Sequence, residues 1–265
     1  MPRNLKPKRI VIKIGTNTLT DKNGLLELDI IQNLVSQIAR IKNNKDIVIV
    51  TSGAIGAGMK ELGIRERPKE VVGQQVCAAV GQGILMTSYH AMFSKHKVKI
   101  AQILITYNDL ANKENYKHLA NSLERLFQLG IIPIINENDP VSISEIGPSF
   151  GDNDNMSALI AGKIKADLLI ILTNVDGLFD KHPNDKDAVL INEVKNINKK
   201  IETVGSSSSN LGIGGMKAKI QAAKKVTGAG TTAIIANGKK DNVLIDIING
   251  KDIGTIFYPK KIRGV

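Results

Sequence analysis

This 265-residue sequence has one cysteine, no tryptophan and only 3% aromatic residues. The single thiol, Cys77, excludes an internal disulfide and fits a reducing compartment, where it reads as a small buried apolar residue in a helix. So few aromatics leave few stacking platforms for single-stranded nucleic acid. No apolar run is long enough to span a bilayer. The opening MPRNLKPKRIVIKIG passes from basic residues straight into a strand-like run, without a signal-peptide core or cleavage site, so a cytoplasmic protein with no membrane partner is expected. Four histidines, His90, His96, His118 and His182, are dispersed, and none stands at zinc-ligand spacing with Cys77. No Ser-His-Asp arrangement is suggested, and no metal-binding residue is assigned. Neither G-x-x-x-x-G-K-[ST] nor G-x-G-x-x-G occurs, so a P-loop and the dinucleotide fingerprint are both unsupported.

Charge and hydrophobic patterning carry more information. The net charge of +11 and pI of about 9.6 fit either nucleic acid or small anionic substrates. The lysines are scattered apart from short pairs such as Lys199-Lys200 and Lys260-Lys261, the pattern of a solvated surface, so nucleic acid is not expected as a partner. The length suffices for a substantial α/β core. Strand-like runs RIVIKI (9–14), DIVIVT (46–51), KIAQILIT (99–106), IIPII (131–135), DLLIILT (167–173) and TTAIIA (231–236) alternate with helical patterns, and GTIFY (254–258) adds a last one. The helices are expected near 28–43, 69–96, 112–129, 153–165, 216–229 and 241–248. Strands apolar on both faces and separated by helices predict a mostly parallel sheet covered on both sides. The polar stretch 176–195 is read as a small hairpin and GSSSSNLGIGG (205–215) as a mobile loop. No linker divides the chain, so one domain over 1–265 is expected.

Ligands in open parallel sheets bind beyond the carboxyl ends of the strands. RIVIKI ends with Lys13 and runs into GTNT; DIVIV is followed by TSGAIGAG, IIPII by NENDP and DLLIIL by TNVDG. In TSGAIGAG, Gly53, Gly56 and Gly58 let backbone amides approach an anion, or else let a helix pack closely on a strand. GDNDN (151–155) opens a helix facing the same edge, with more polar residues than one N-cap requires. GIGGMKAK (212–219) places glycines before a helix carrying Lys217 and Lys219. Lysines, carboxylates, amides and glycines without a histidine base suit phosphoryl transfer to an acceptor that is already anionic.

VIKIGTNTL, VTSGAIGAG, PIINENDPV, FGDNDNMSALIA, LLIILTNVDGLF and GIGGMKAKIQAA, in this order, resemble the amino acid kinase family, in its glutamate-phosphorylating branch, over nearly the whole chain. That resemblance implies a three-layer αβα sandwich around a mainly parallel sheet of about eight strands. It implies ATP- and Mg²⁺-dependent phosphorylation of the γ-carboxylate of L-glutamate, the first step toward proline, with proline as feedback inhibitor and a homodimer or homotetramer as the assembly. It assigns Lys13, Asp154 and Lys219 to catalysis, Asp154 orienting the two lysines. It places glutamate against Ser52, Gly53, Ala54, Asp139, Asp152 and Asn153. It places the nucleotide against Lys13, Thr173, Asn174, Ile213, Gly214, Gly215, Met216, Lys217, Ala218 and Lys219. The chain departs from the family where Asn174 replaces a common Asp and where Ile213 and Ala218 replace common Thr residues, all on the nucleotide side. The RNA-binding PUA-type module that many relatives carry is expected to be absent after GTIFYPKKIRGV. Acetylated glutamate, aspartate, carbamate or UMP as the acceptor, a glutamate or proline sensor, and a basic nucleic-acid-binding protein are the rival readings.

Overall fold

A computed structural model of the chain describes residues 3–142, 153–207 and 215–259. In chain order the elements are β1 (Arg9–Ile14), α1 (Thr16–Leu19), α2 (Leu28–Ile41), β2 (Asp46–Thr51), α3 (Ala54–Glu61), α4 (Val71–Lys95), β3 (Ile100–Ile105), α5 (Tyr107–Ala111), α6 (Lys113–Gln128) and β4 (Ile132–Glu137). A 3₁₀ turn (Asp139–Val141) follows, then α7 (Asn153–Lys163), β5 (Leu168–Thr173), β6 (Glu193–Val194), α8 (Lys199–Ser207), α9 (Met216–Gly228), β7 (Thr232–Asn237), α10 (Val243–Ile248) and β8 (Thr255–Phe257). The strands form one eight-stranded sheet in the order β3-β4-β2-β1-β5-β7-β8-β6. Its pairings are parallel except β7 with β8.

The alternation of side chains along β1 explains both the layers and the site. Ile10, Ile12 and Ile14 point to one face, where they join Ile31, Leu34 and Ile38 of α2, Leu85, Tyr89 and Phe93 of α4, and Leu244 of α10. Val11 points to the other, among Met156 and Ile160 of α7, Ile220 and Ala223 of α9, and Leu123 of α6. Lys13 follows Val11 at the period of two, so the sheet aims it at the α7–α9 layer. β1 has β2 on one side and β5 on the other, with Lys13 level with Val50 and Ile171. The chain turns back across the sheet on opposite sides of β1, which opens a crevice at its carboxyl end.

Close packing, one of the two readings open for the TSGAIGAG glycines, accounts for Gly56 and Gly58. A Cβ on Gly58 would lie 1.8 Å from the Cys77 carbonyl oxygen, and one on Gly81 would lie 1.9 Å from that of Ala54. α3 and α4 therefore cross at backbone contact, and Gly58 serves that crossing; a Cβ on Gly56 would lie 2.4 Å from the Gly24 carbonyl oxygen. Only Gly53 stays at the turn, with φ of 102° that a side chain disfavours. Cys77 is buried in α4 as expected.

Other sequence expectations shift in detail. β4 runs on through Asn136 and Glu137, which therefore belong to the strand rather than the loop after it. The 176–195 stretch holds an antiparallel bridge, Phe179 to Leu190, and then β6, which pairs parallel with β8. α8 takes in 205–207, the start of the segment read as a loop, and the rest of that segment up to 214 lies outside the described residues.

Candidate active site

At the carboxyl edge of the sheet, three charged side chains from three elements meet in a buried cluster. Lys13 Nζ lies 2.7 Å from Asp154 Oδ1, and Lys219 Nζ lies 3.0 Å from Asp154 Oδ2. The residues are 5%, 1% and 8% exposed for Lys13, Asp154 and Lys219. Each gets there for a local reason. Lys13 is at the end of β1, Asp154 is in the first turn of α7, where the helix dipole favours an acid, and Lys219 is in the first turn of α9, which packs on α7. Burial alone would raise the Asp154 carboxyl, but Lys13 and then Lys219 outweigh it and hold it below its ordinary value. With both carboxylate oxygens engaged by ammonium groups, Asp154 is an organiser of lysines rather than a proton acceptor. Gly15 leaves room at this point: a Cβ there would sit 3.1 Å from Lys13 Nζ.

Beside the cluster lies a group of amides. Asn153 Nδ2 donates to the Thr51 carbonyl at 2.7 Å, to Ser52 Oγ at 3.0 Å and to Asn136 Oδ1 at 3.1 Å. Asn136 Nδ2 in turn donates to Gln82 Oε1 of α4 at 2.8 Å. These contacts tie the ends of β2 and β4 to the start of α7. Below them Thr51 Oγ1 and the buried Tyr89 hydroxyl share a hydrogen bond of 2.9 Å. Asp139 is buried in the 3₁₀ turn after β4. Burial first, and the charge of Glu137 second, push its carboxyl up to about 7, while Arg67 pulls the other way.

Ser52 meets Asn153, Gly53 and Ala54 form the start of α3, and Asp139 stands at the end of β4 beside Asn136 and Glu137. Thr173 is buried at the end of β5, with Oγ1 at 3.4 Å from Oδ1 of the exposed Asn174. Gly215 caps α9, Met216 packs its side chain on the core, and Ala218 lies in the first turn. Lys217 is not brought to Lys219. It is exposed and lines a groove of about 490 Å³ between α8 and α9 with Glu202, Gln221 and Lys224. Two positions apart on a helix, the two lysines take nearly opposite faces. Asp152, Ile213 and Gly214 lie outside the described residues. Sequence reasoning did not single out Asn136, Gln82 or Gly15. Asn136 stood within the quoted NENDP, whereas Gln82 is one polar residue in a long helix and carries no local signal.

Among the described residues no group of three or more His, Cys, Asp or Glu is arranged to hold a metal ion, and no helix is long and apolar enough to cross a membrane. With Asp154 occupied by lysines, the donor set among the described residues does not fit a protein-held Mg²⁺.

A mostly parallel sheet with helices on both faces, carrying two lysines on one buried acid at its carboxyl edge, defines an α/β protein built to receive an anionic ligand there. The profile of the amino acid kinase family matches residues 8–237, and the chain belongs to that family. The chain is 46% identical over 256 residues to a protein of Thermoanaerobacter sp. named glutamate 5-kinase, covering 96% of this chain and 68% of that one. It is 45% identical to the glutamate 5-kinase of Clostridium acetobutylicum, covering 95% of both, and 43% identical to that of Ligilactobacillus salivarius, covering 97% of this chain and 99% of the relative. Among solved structures, the UMP kinase of Bacillus anthracis aligns with a TM-score of 0.63 at 18% identity, covering 96% of this chain and 97% of that one. The isopentenyl phosphate kinase of T. acidophilum aligns with a TM-score of 0.64 at 20% identity, covering 94% and 99%. These two establish the shared fold.

Proposed function

We propose that the chain is a glutamate 5-kinase, transferring the γ-phosphoryl group of ATP to the γ-carboxylate of L-glutamate. The observation that carries this reading is the Lys13–Asp154–Lys219 cluster at the sheet's carboxyl edge, and the relatives named glutamate 5-kinase support the choice of acceptor. A γ-carboxylate oxygen attacks the terminal phosphorus, an O–P bond forms, the bond to ADP breaks, and no proton moves. The reaction therefore needs no base. It needs the repulsion between two anions offset, and Lys13 and Lys219 supply that charge in a dry pocket. Asp154 keeps the lysine tips apart and aimed.

The nucleotide lies at the end of β5, by Thr173 and Asn174, with its phosphates at the start of α9, where the backbone of Gly215 and Met216 offers amides. Mg²⁺ arrives as part of the Mg·ATP substrate, held through phosphate oxygens and water. Glutamate occupies the corner of Ser52, Gly53, Ala54, Asp139 and Asn153, with Asp139 and Asn153 Oδ1 taking its ammonium. Proline carries the same α-amino acid head and inhibits by competing for that corner. The protein acts in the cytoplasm as a homodimer or homotetramer. The exposed Val72, Val76 and Val80, one turn apart along α4, support the assembly.

Trapping the acyl phosphate with hydroxylamine tests the reading. The expected result is hydroxamate formation with ATP and glutamate, reduced by proline, and no ATP consumption with aspartate, N-acetylglutamate, carbamate or UMP. Turnover of one of those acceptors in place of glutamate would refute it.

A further inference from the structure

The amide group beside the lysine cluster has a direction, and a backbone atom sets it. The Thr51 carbonyl can only accept, so the side chain of Asn153 must present its nitrogen there. The same nitrogen faces Asn136, which must answer with its oxygen. Asn136 then turns its nitrogen to Gln82, which must answer with Oε1. Flipping any one of the three amides would set donor against donor or acceptor against acceptor. This polarity leaves one atom over at each end of the relay, Asn153 Oδ1 as an acceptor and Gln82 Nε2 as a donor. Both are buried and have no hydrogen-bond partner among the described residues. Buried polar atoms without partners are rare and call for an explanation.

We propose that Gln82 is a substrate-binding residue, its Nε2 donating to the α-carboxylate of the amino acid whose α-ammonium donates to Asn153 Oδ1. This rests on the reading of the protein as a glutamate kinase. An α-amino acid head carries one cationic donor and one anionic acceptor on a single carbon, and the relay offers one free acceptor and one free donor. Asp139, beside the same end of β4, adds the negative charge that an ammonium selects. The relay also explains the occurrence of a glutamine in an otherwise apolar stretch of α4: a hydrocarbon there would leave Asn136 Nδ2 unpaired.

Two substitutions separate binding from scaffolding. Gln82→Glu keeps an acceptor for Asn136 and replaces the free donor with a carboxylate; Gln82→Met removes both. KM for glutamate, KM for ATP, kcat and melting temperature are measured for each and for wild type. Both variants are expected to raise the glutamate KM about tenfold or more, Gln82→Glu the further, with the KM for ATP within about twofold of wild type. If Gln82→Met fails to fold, Gln82→Glu alone carries the test, because it preserves the relay. A wild-type glutamate KM in Gln82→Glu would overturn the assignment and leave Gln82 as a mere acceptor for Asn136. Equal rises in both KM values would overturn it as well. Absence of glutamate turnover in the wild-type chain would overturn the functional reading itself.

Discussion

Asp139 makes glutamate affinity depend on pH in a window that can be stated in advance. The carboxyl is pushed from an ordinary 3.8 up to about 7, by burial first and by the charge of Glu137 second. That rise of about three pH units corresponds to roughly 4 kcal/mol against the ionised form. A raised carboxyl pKa means that the folded chain holds this proton to higher pH than the unfolded chain does. The stability it contributes is therefore complete below about pH 3.8 and is lost as the pH climbs through about 7. Substrate binding runs the other way, because only the ionised carboxylate attracts an ammonium. With a pKa of about 7, roughly one chain in ten is ionised at about pH 6 and nine in ten at about pH 8, so the apparent glutamate KM should be about tenfold higher at the lower pH. The assay is the steady-state glutamate KM at saturating ATP across that range. Asp139→Asn should raise KM and flatten the profile. A wild-type KM with no inflection near neutrality, or an Asp139→Asn profile that keeps the inflection, would refute the reasoning.

Two further outcomes follow from packing. Gly58→Ala drives a methyl onto the Cys77 carbonyl. The clash costs about 3 kcal/mol and outweighs about 1 kcal/mol of better helix propensity, so the melting temperature should fall by roughly 4–8 °C; an unchanged melting temperature would contradict the backbone contact of α3 and α4. Lys13→Arg keeps the charge, but its planar guanidinium must fit between Gly15 and Asp154 in a buried space shaped for an ammonium. It should lose at least about 100-fold in kcat, and wild-type turnover would show that charge alone suffices.

The parts of the fold that could be read in the sequence are those in which a full period repeats. β1, β2 and β5 are runs dominated by β-branched residues and leucine, buried along nearly their whole length. α2, which shows apolar residues at helical spacing, was placed to within two residues. α1 and α5 are too short to complete a pattern. α3 is rich in glycine and is helical because it packs on α4, a tertiary cause that its own composition opposes. β6 exists only through its pairing with β8, at a distance in sequence that no local signal spans. The site divides along the same line. Lys13, Asp154 and Lys219 stand in long motifs, and the sheet brings them together as those motifs imply. Lys217 and Lys219 share one motif, and helix geometry turns Lys217 toward the groove between α8 and α9. Gln82 becomes visible only once β4 and α4 are in contact through Asn136.

The central claim is that one buried acid holds two ammonium tips where phosphoryl transfer occurs, and kcat of Asp154→Asn tests it most directly. An amide of the same shape leaves both lysines without their counter-charge, so the variant should be less stable to unfolding by about 3 kcal/mol yet stay folded, and its kcat should fall by at least about 100-fold. A folded Asp154→Asn enzyme turning over glutamate and ATP at the wild-type rate would contradict it.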